Sequence, residues 1–166
     1  MTERLNKSCN ARGRSCNARA MAVPASRSRL ARLGPSEWLL LAEALAALAL
    51  ASLAIALLPF RKVAAAASAR GRKPASAPAD AVARARWAVQ AWARRVPWRT
   101  VCFQRGLALH WMLRRRGIGS VLLYGARRDA DGLAAHVWVD VDGETVIGGE
   151  EAPGFACLAR FPPDPA

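Results

Sequence analysis

The chain predicts an α+β domain with an α-helical N-terminal extension. Three observations lead there. A helix pattern that opens on a cysteine runs through about residues 101–116. Period-2 segments carrying a histidine follow it, with Asp142-Gly143 between two alternating arms. Upstream lies an apolar run, Trp38 to Leu58, bounded by turn-forming residues.

With 166 residues the chain is long enough for one catalytic domain and an appendage. Hydrophobic residues make up 53%, too many for a disordered chain. The net charge of +13 is unevenly spread. Residues 1–99 hold 18 Lys/Arg against four acids, whereas residues 100–166 hold seven Arg against eight acids. The basic half has no Lys/Arg patch interleaved with stacking aromatics, so no nucleic-acid partner is expected. An acidic peptide, an acidic protein or an anionic lipid surface fits better. Cys9, Cys16, Cys102 and Cys157 match neither a zinc ribbon nor a C-x-x-C redox pair, and the chain shows no export signal. A reduced cytoplasmic setting is expected, in which a lone thiol can act as nucleophile.

Residues 1–36 are Arg/Ser/Ala-rich and repeat Ser-Cys-Asn-Ala-Arg at Ser8 and Ser15. They read as a disordered basic N-terminus, and Met21 is an alternative start. Residues 37–62 form an apolar helix that Ser36 can cap and Pro59 can close. It is long enough to span a bilayer, and Arg61 and Lys62 would then mark the cytoplasmic end. Against a span stand Glu43 inside the run and its high alanine content. Leu41, Leu45, Leu48 and Ile55 recur at helical spacing, which suits a packing helix equally well. Membrane contact through Trp38–Leu58 and soluble packing both remain open at this point. Residues 63–79, with Pro74 and Pro78, read as a linker. A helix follows over about Asp80 to Arg95, and Pro97 ends it. It opens the candidate catalytic domain, residues 80–162.

Thr100 is a fitting N-cap for the next helix, and Gly117 a fitting stop after Arg114, Arg115 and Arg116. Cys102 then falls in the first turn. The positive helix end there suits a nucleophilic sulfur, and its free N–H groups can receive an oxyanion. A strand from Ser120 to Ala126, a polar loop from Arg127 to Gly132 and a hairpin from Leu133 to Gly149 come next. On the first hairpin arm Val137, Val139 and Val141 share one face, and His136, Trp138 and Asp140 share the other. Singly, a lone cysteine or a lone strand histidine is more often a packing residue. In combination, 34 residues apart, they give Cys102 as nucleophile and His136 as base.

The stretches CFQRGLALHWMLRRRGI and GLAAHVWVDVDGETVIGG resemble the lasso-peptide leader peptidases, which are transglutaminase-like cysteine hydrolases. The resemblance covers about residues 82–162 and, more loosely, the helix ending in LLPFRK. It implies a papain/transglutaminase-like fold, a Cys–His–Asp triad and no metal or organic cofactor. It also implies three partners: a lasso precursor peptide, a separate leader-recognition protein and an ATP-dependent cyclase. Cys102 and His136 carry over directly. The orienting Asp does not, because Gly148 occupies its position. A three-residue turn would put Gly148 opposite His136, and a two-residue turn Gly149. Glu150 is the candidate orienter, with Glu151, a backbone carbonyl or water as substitutes. Asp140 lies about 13 Å along the strand, out of reach. His110 and Cys157 read as packing residues, Trp98 and Trp138 as core or groove wall, and Gln104 as a possible oxyanion donor. The expected activity is cysteine-peptidase removal of a leader. The alternatives are acyl transfer to an amine and a non-catalytic, membrane-associated scaffold.

Overall fold

The computed structural model describes residues 34–68, 78–130 and 132–163. The expected disordered N-terminus lies almost wholly outside them, as does most of the expected linker. Among the described residues four helices, α1 (Pro35–Leu57), α2 (Phe60–Ser68), α3 (Ala79–Ala93) and α4 (Cys102–Arg115), precede the sheet. Its strands are β1 (Val121–Asp129), β2 (Gly132–Val141), β3 (Glu144–Ile147) and β4 (Ala156–Phe161). They are ordered β3-β2-β1-β4 with every pairing antiparallel. The α+β expectation holds.

Helix α1 is a packing element of this domain. Leu41, Ala44, Leu48 and Ala51 are buried in the same core as Val89 of α3 and Leu107 and Leu113 of α4. The indole of Trp92 donates to the Leu41 carbonyl at 2.8 Å, and that of Trp98 to the Ser52 hydroxyl at 3.1 Å. Glu43, the charge that counted against a span, is ion-paired with Arg116. The start of α1 differs from expectation. Gly34, not Ser36, precedes the helix, and the Glu37 carboxylate accepts the Gly34 N–H at 2.8 Å. That carboxylate also lies at the positive helix end.

Residues 64–68 are helical where a linker was expected. Val63 and Ala67 of α2 are buried, and α4 receives the helix end. His110 Nε2 donates to the Ala67 carbonyl at 3.0 Å, and Arg114 donates to it at 2.7 Å. Ser120 donates its hydroxyl to His110 Nδ1 at 2.9 Å. Both ring nitrogens are thus satisfied by a neutral imidazole, and burial pushes the His110 pKa down to about 4.

Helix α4 lies against the sheet through Gly106. A Cβ there would stand 2.9 Å from Val137 Cγ1, so only glycine allows this approach. The polar loop expected over residues 127–132 is instead mostly strand. β1 continues to Asp129, Arg127 forks the Asp129 carboxylate at 2.7 and 3.1 Å, and β2 starts at Gly132. The β2–β3 turn has two residues, Asp142 and Gly143, both at positive φ. A register shift follows between Val139 and Asp140. β4 was not expected; it pairs with β1 and covers that edge.

Candidate functional site

Cys102 is the first residue of α4. Val101, in extended conformation, precedes it, and Thr100 is not the cap. The Thr100 hydroxyl instead donates to the Ala93 carbonyl at 3.0 Å, closing the end of α3. The start of α4 is held by Gln104, whose Oε1 accepts the Val101 N–H at 2.9 Å. That bond holds the Gln104 side chain at the helix start through its oxygen, leaving only the NH2 able to donate to an oxyanion. Cys102 is partly exposed and is the free cysteine among the described residues.

His136 lies on β2, directly across from Gly125 of β1. Alternation sets its direction. Val137 and Val139 point toward α4 and Gly106, so His136 and Trp138 point to the other face. There the imidazole is buried. It stacks on Trp138 with centroids 6.1 Å apart and meets Phe155 at 5.1 Å. Arg127 lies over the Phe155 ring, its guanidinium carbon 4.6 Å from the ring centre. These aromatic walls fix the plane of the imidazole.

Both ring nitrogens face the segment after β3. Nε2 donates to the Gly148 carbonyl at 2.8 Å, and Nδ1 lies 3.4 Å from Glu151 Oε2. The second contact is an ion pair only when the ring carries both protons. Gly148 has φ +78, and a Cβ there would sit 2.6 Å from the Val137 carbonyl oxygen. The chain turns at Gly148 in a conformation and a space that exclude a side chain, so a carboxylate cannot come from this position. Instead Glu151 brings one from the next turn. Glu150, the residue expected there, and Glu151 are both exposed, and the carboxylate that comes within 3.4 Å of His136 is that of Glu151.

The structure therefore gathers His136, Gly148 and Glu151, with Trp138 and Phe155 around them. It does not join them to Cys102: among the described residues no hydrogen bond links the thiol to the imidazole, and the body of α4 lies on the opposite face of β2. Asp140 shares the His136 face but accepts the Thr145 hydroxyl at 2.7 Å, and burial pushes its pKa up. No group of three or more His, Cys, Asp or Glu able to hold a metal occurs among the described residues.

A helix opening on a partly exposed cysteine, packed on an antiparallel sheet with a buried histidine on its central strand, is the arrangement of a known superfamily. The family model described as "Transglutaminase-like superfamily" matches residues 44–160. The chain belongs to the transglutaminase-like superfamily. That match begins inside α1 and ends in β4. Comparisons with curated proteins and with solved structures gave no match.

Sequence reasoning did not find Phe155 as a neighbour of the histidine, or Arg127 against Phe155. Both depend on β4 and its preceding turn folding back over β1. The choice of Glu151 over Glu150 depends on the Gly148 turn.

Proposed function

We propose that this transglutaminase-like protein is a cysteine endopeptidase that removes the leader from a lasso-peptide precursor, with Cys102 as nucleophile and His136 as base. The observation that supports it most is the pairing, in one transglutaminase-like unit, of a free, partly exposed Cys102 at a helix N-terminus with a buried His136 held between aromatic rings. Such a site works by acyl transfer. The thiol proton passes to an imidazole nitrogen, sulfur attacks the scissile carbonyl, and free N–H groups at the start of α4 receive the oxyanion. The imidazolium protonates the leaving amine, and water then hydrolyses the thioester.

This chemistry requires one imidazole nitrogen to reach Cys102. Both are turned toward Gly148 and Glu151, on the face of β2 away from the body of α4, so the reading requires precursor binding to break the His136–Gly148 hydrogen bond and also to bring the ring and the thiol together. Glu151, three residues past the glycine, is then the carboxylate best placed to orient the ring, a role first expected for Glu150. A separate leader-recognition protein would deliver the precursor, and an ATP-dependent cyclase would close the ring. The disulfide at Cys157 does not fit the reduced cytoplasmic setting expected from the sequence.

The same observation favours one rival: a non-catalytic scaffold of the maturation complex, in which His136 stays locked to Gly148. Incubating the protein and its leader-binding partner with the precursor, read by mass spectrometry, separates the two. A single cut by wild type and none by Cys102→Ala establishes the peptidase. An intact precursor with both proteins, together with retained partner binding, establishes the scaffold. Appearance of an amine-coupled product in place of the free carboxylate would assign acyl transfer instead of hydrolysis.

A further inference from the structure

We infer that α1 docks this protein on an anionic bilayer surface, lying in the membrane plane without crossing it. The inference is independent of the peptidase reading. By length and composition α1 is the one helix among the described residues able to span a membrane. Its inner face, however, is the domain core: Leu41, Ala44, Leu48 and Ala51 are at most 4% exposed. A spanning helix would have to surrender all of those contacts.

The outer face is a different surface. Leu39, Ala42, Ala46, Leu50, Leu53 and Leu57 follow one another at three- and four-residue spacing, forming one stripe along the helix. Its leucines are 73%, 58%, 54% and 75% exposed. Glu43 borders it on one side, its carboxylate turned to Arg116. Trp38 at one end and Leu58 and Phe60 at the other are also exposed. A soluble monomer rarely leaves a continuous apolar surface of this length in water.

Charge decides which occupant fits. Exposed Arg61 and Lys62 follow directly after the stripe. Arg95 borders a groove on one side of it with Ala42 and Ala46, and Arg115 borders a groove on the other with Ala42 and Leu50. The two acids of α1 are both engaged, Glu37 with the Gly34 N–H and Glu43 with Arg116. An apolar ridge flanked by Arg61, Lys62 and Arg95, with Arg115 already paired to Glu43 at 3.9 Å, matches acyl chains beneath anionic headgroups. A second copy would set like charges against each other.

The test is co-sedimentation of the full chain with phosphatidylcholine vesicles, with and without about three parts in ten of phosphatidylglycerol. Wild type should partition at least about tenfold more strongly onto the anionic vesicles, and salt should release it. Leu50→Glu/Leu53→Glu should abolish binding, and Arg61→Glu/Lys62→Glu should weaken it about tenfold or more. All four positions are exposed, so circular dichroism should show both variants folded. The inference is overturned if wild type stays in the supernatant with both vesicle types, or if either variant binds as wild type does. It is also overturned if binding ignores lipid charge and resists salt and alkaline extraction, which would mean a span. Sedimentation showing a wild-type dimer that the leucine variant dissociates, without vesicle binding, would assign the stripe to a second copy.

Discussion

His136 shows how one residue's role depends on its neighbours. Its identity as the strand histidine was legible from alternation alone, and its burial between Trp138 and Phe155 gives the ring one orientation. The carboxylate beside it was not legible to within one residue. Glu150 and Glu151 are adjacent and chemically identical, and after the turn at Gly148 it is Glu151 that comes within 3.4 Å of His136. Replacing each in turn tests that choice. Glu151→Gln should lower kcat/KM for precursor cleavage at least about tenfold, while Glu150→Gln should leave it near wild type. Equal losses in the two variants would show that the turn does not select the carboxylate.

At the scale of elements, α4 and α1 each make an opposing pair of expectations. Gly106 sits mid-helix, where Gly→Ala ordinarily adds about 1 kcal/mol of stability. Here the new Cβ would meet Val137 Cγ1 at 2.9 Å, and a β-branched side chain on a central strand has little room to yield. Gly106→Ala should therefore destabilise by about 1–3 kcal/mol, read as a lower urea midpoint at unchanged slope. On α1 the two faces should answer differently to the same change. Leu48→Ala, at a fully buried position, should cost about 2–5 kcal/mol. Leu53→Ala, on the exposed stripe, should stay within about 0.5 kcal/mol. Comparable losses would mean that the stripe is covered in solution.

For the whole molecule, stability should depend on pH through His110, which joins α2, α4 and Ser120. The folded protein keeps this imidazole neutral down to about pH 4, whereas the unfolded chain protonates it near its ordinary value of 6.5. Between those values the unfolded state binds more protons, so stability falls as pH drops. The contribution is complete above about 6.5 and is lost by about 4, a change of roughly 3 kcal/mol. Asp140 acts in the opposite sense, because burial raises its pKa and its protonation favours the folded state. Urea titrations from pH 7 to 4 should show the fall in wild type and a flatter profile in His110→Gln. Parallel profiles would remove His110 as the cause.

The elements most legible in the sequence were those with a strong period. The apolar helix, the Cys102 helix and the β2–β3 hairpin with its Asp142-Gly143 turn all appear within a few residues of their expected bounds. Local physics suffices there, since hydrophobic spacing fixes the period and a two-residue turn needs positive φ. Side-chain caps were less legible: Ser36 and Thr100 have the right chemistry, yet Glu37 and Gln104 reach back to Gly34 and Val101 instead. β4 was invisible because Ala156–Phe161 is a short, half-exposed edge strand whose partner lies about 30 residues upstream. By itself the sequence determined the α+β class, the order of cysteine and histidine, and the absence of a side chain at position 148. Only the tertiary structure decided which face of β2 meets α4, which glutamate meets His136, and that the apolar helix packs through one face while the other stays bare. Those outcomes depend on contacts between segments far apart in the chain, and local periodicity carries no information about them.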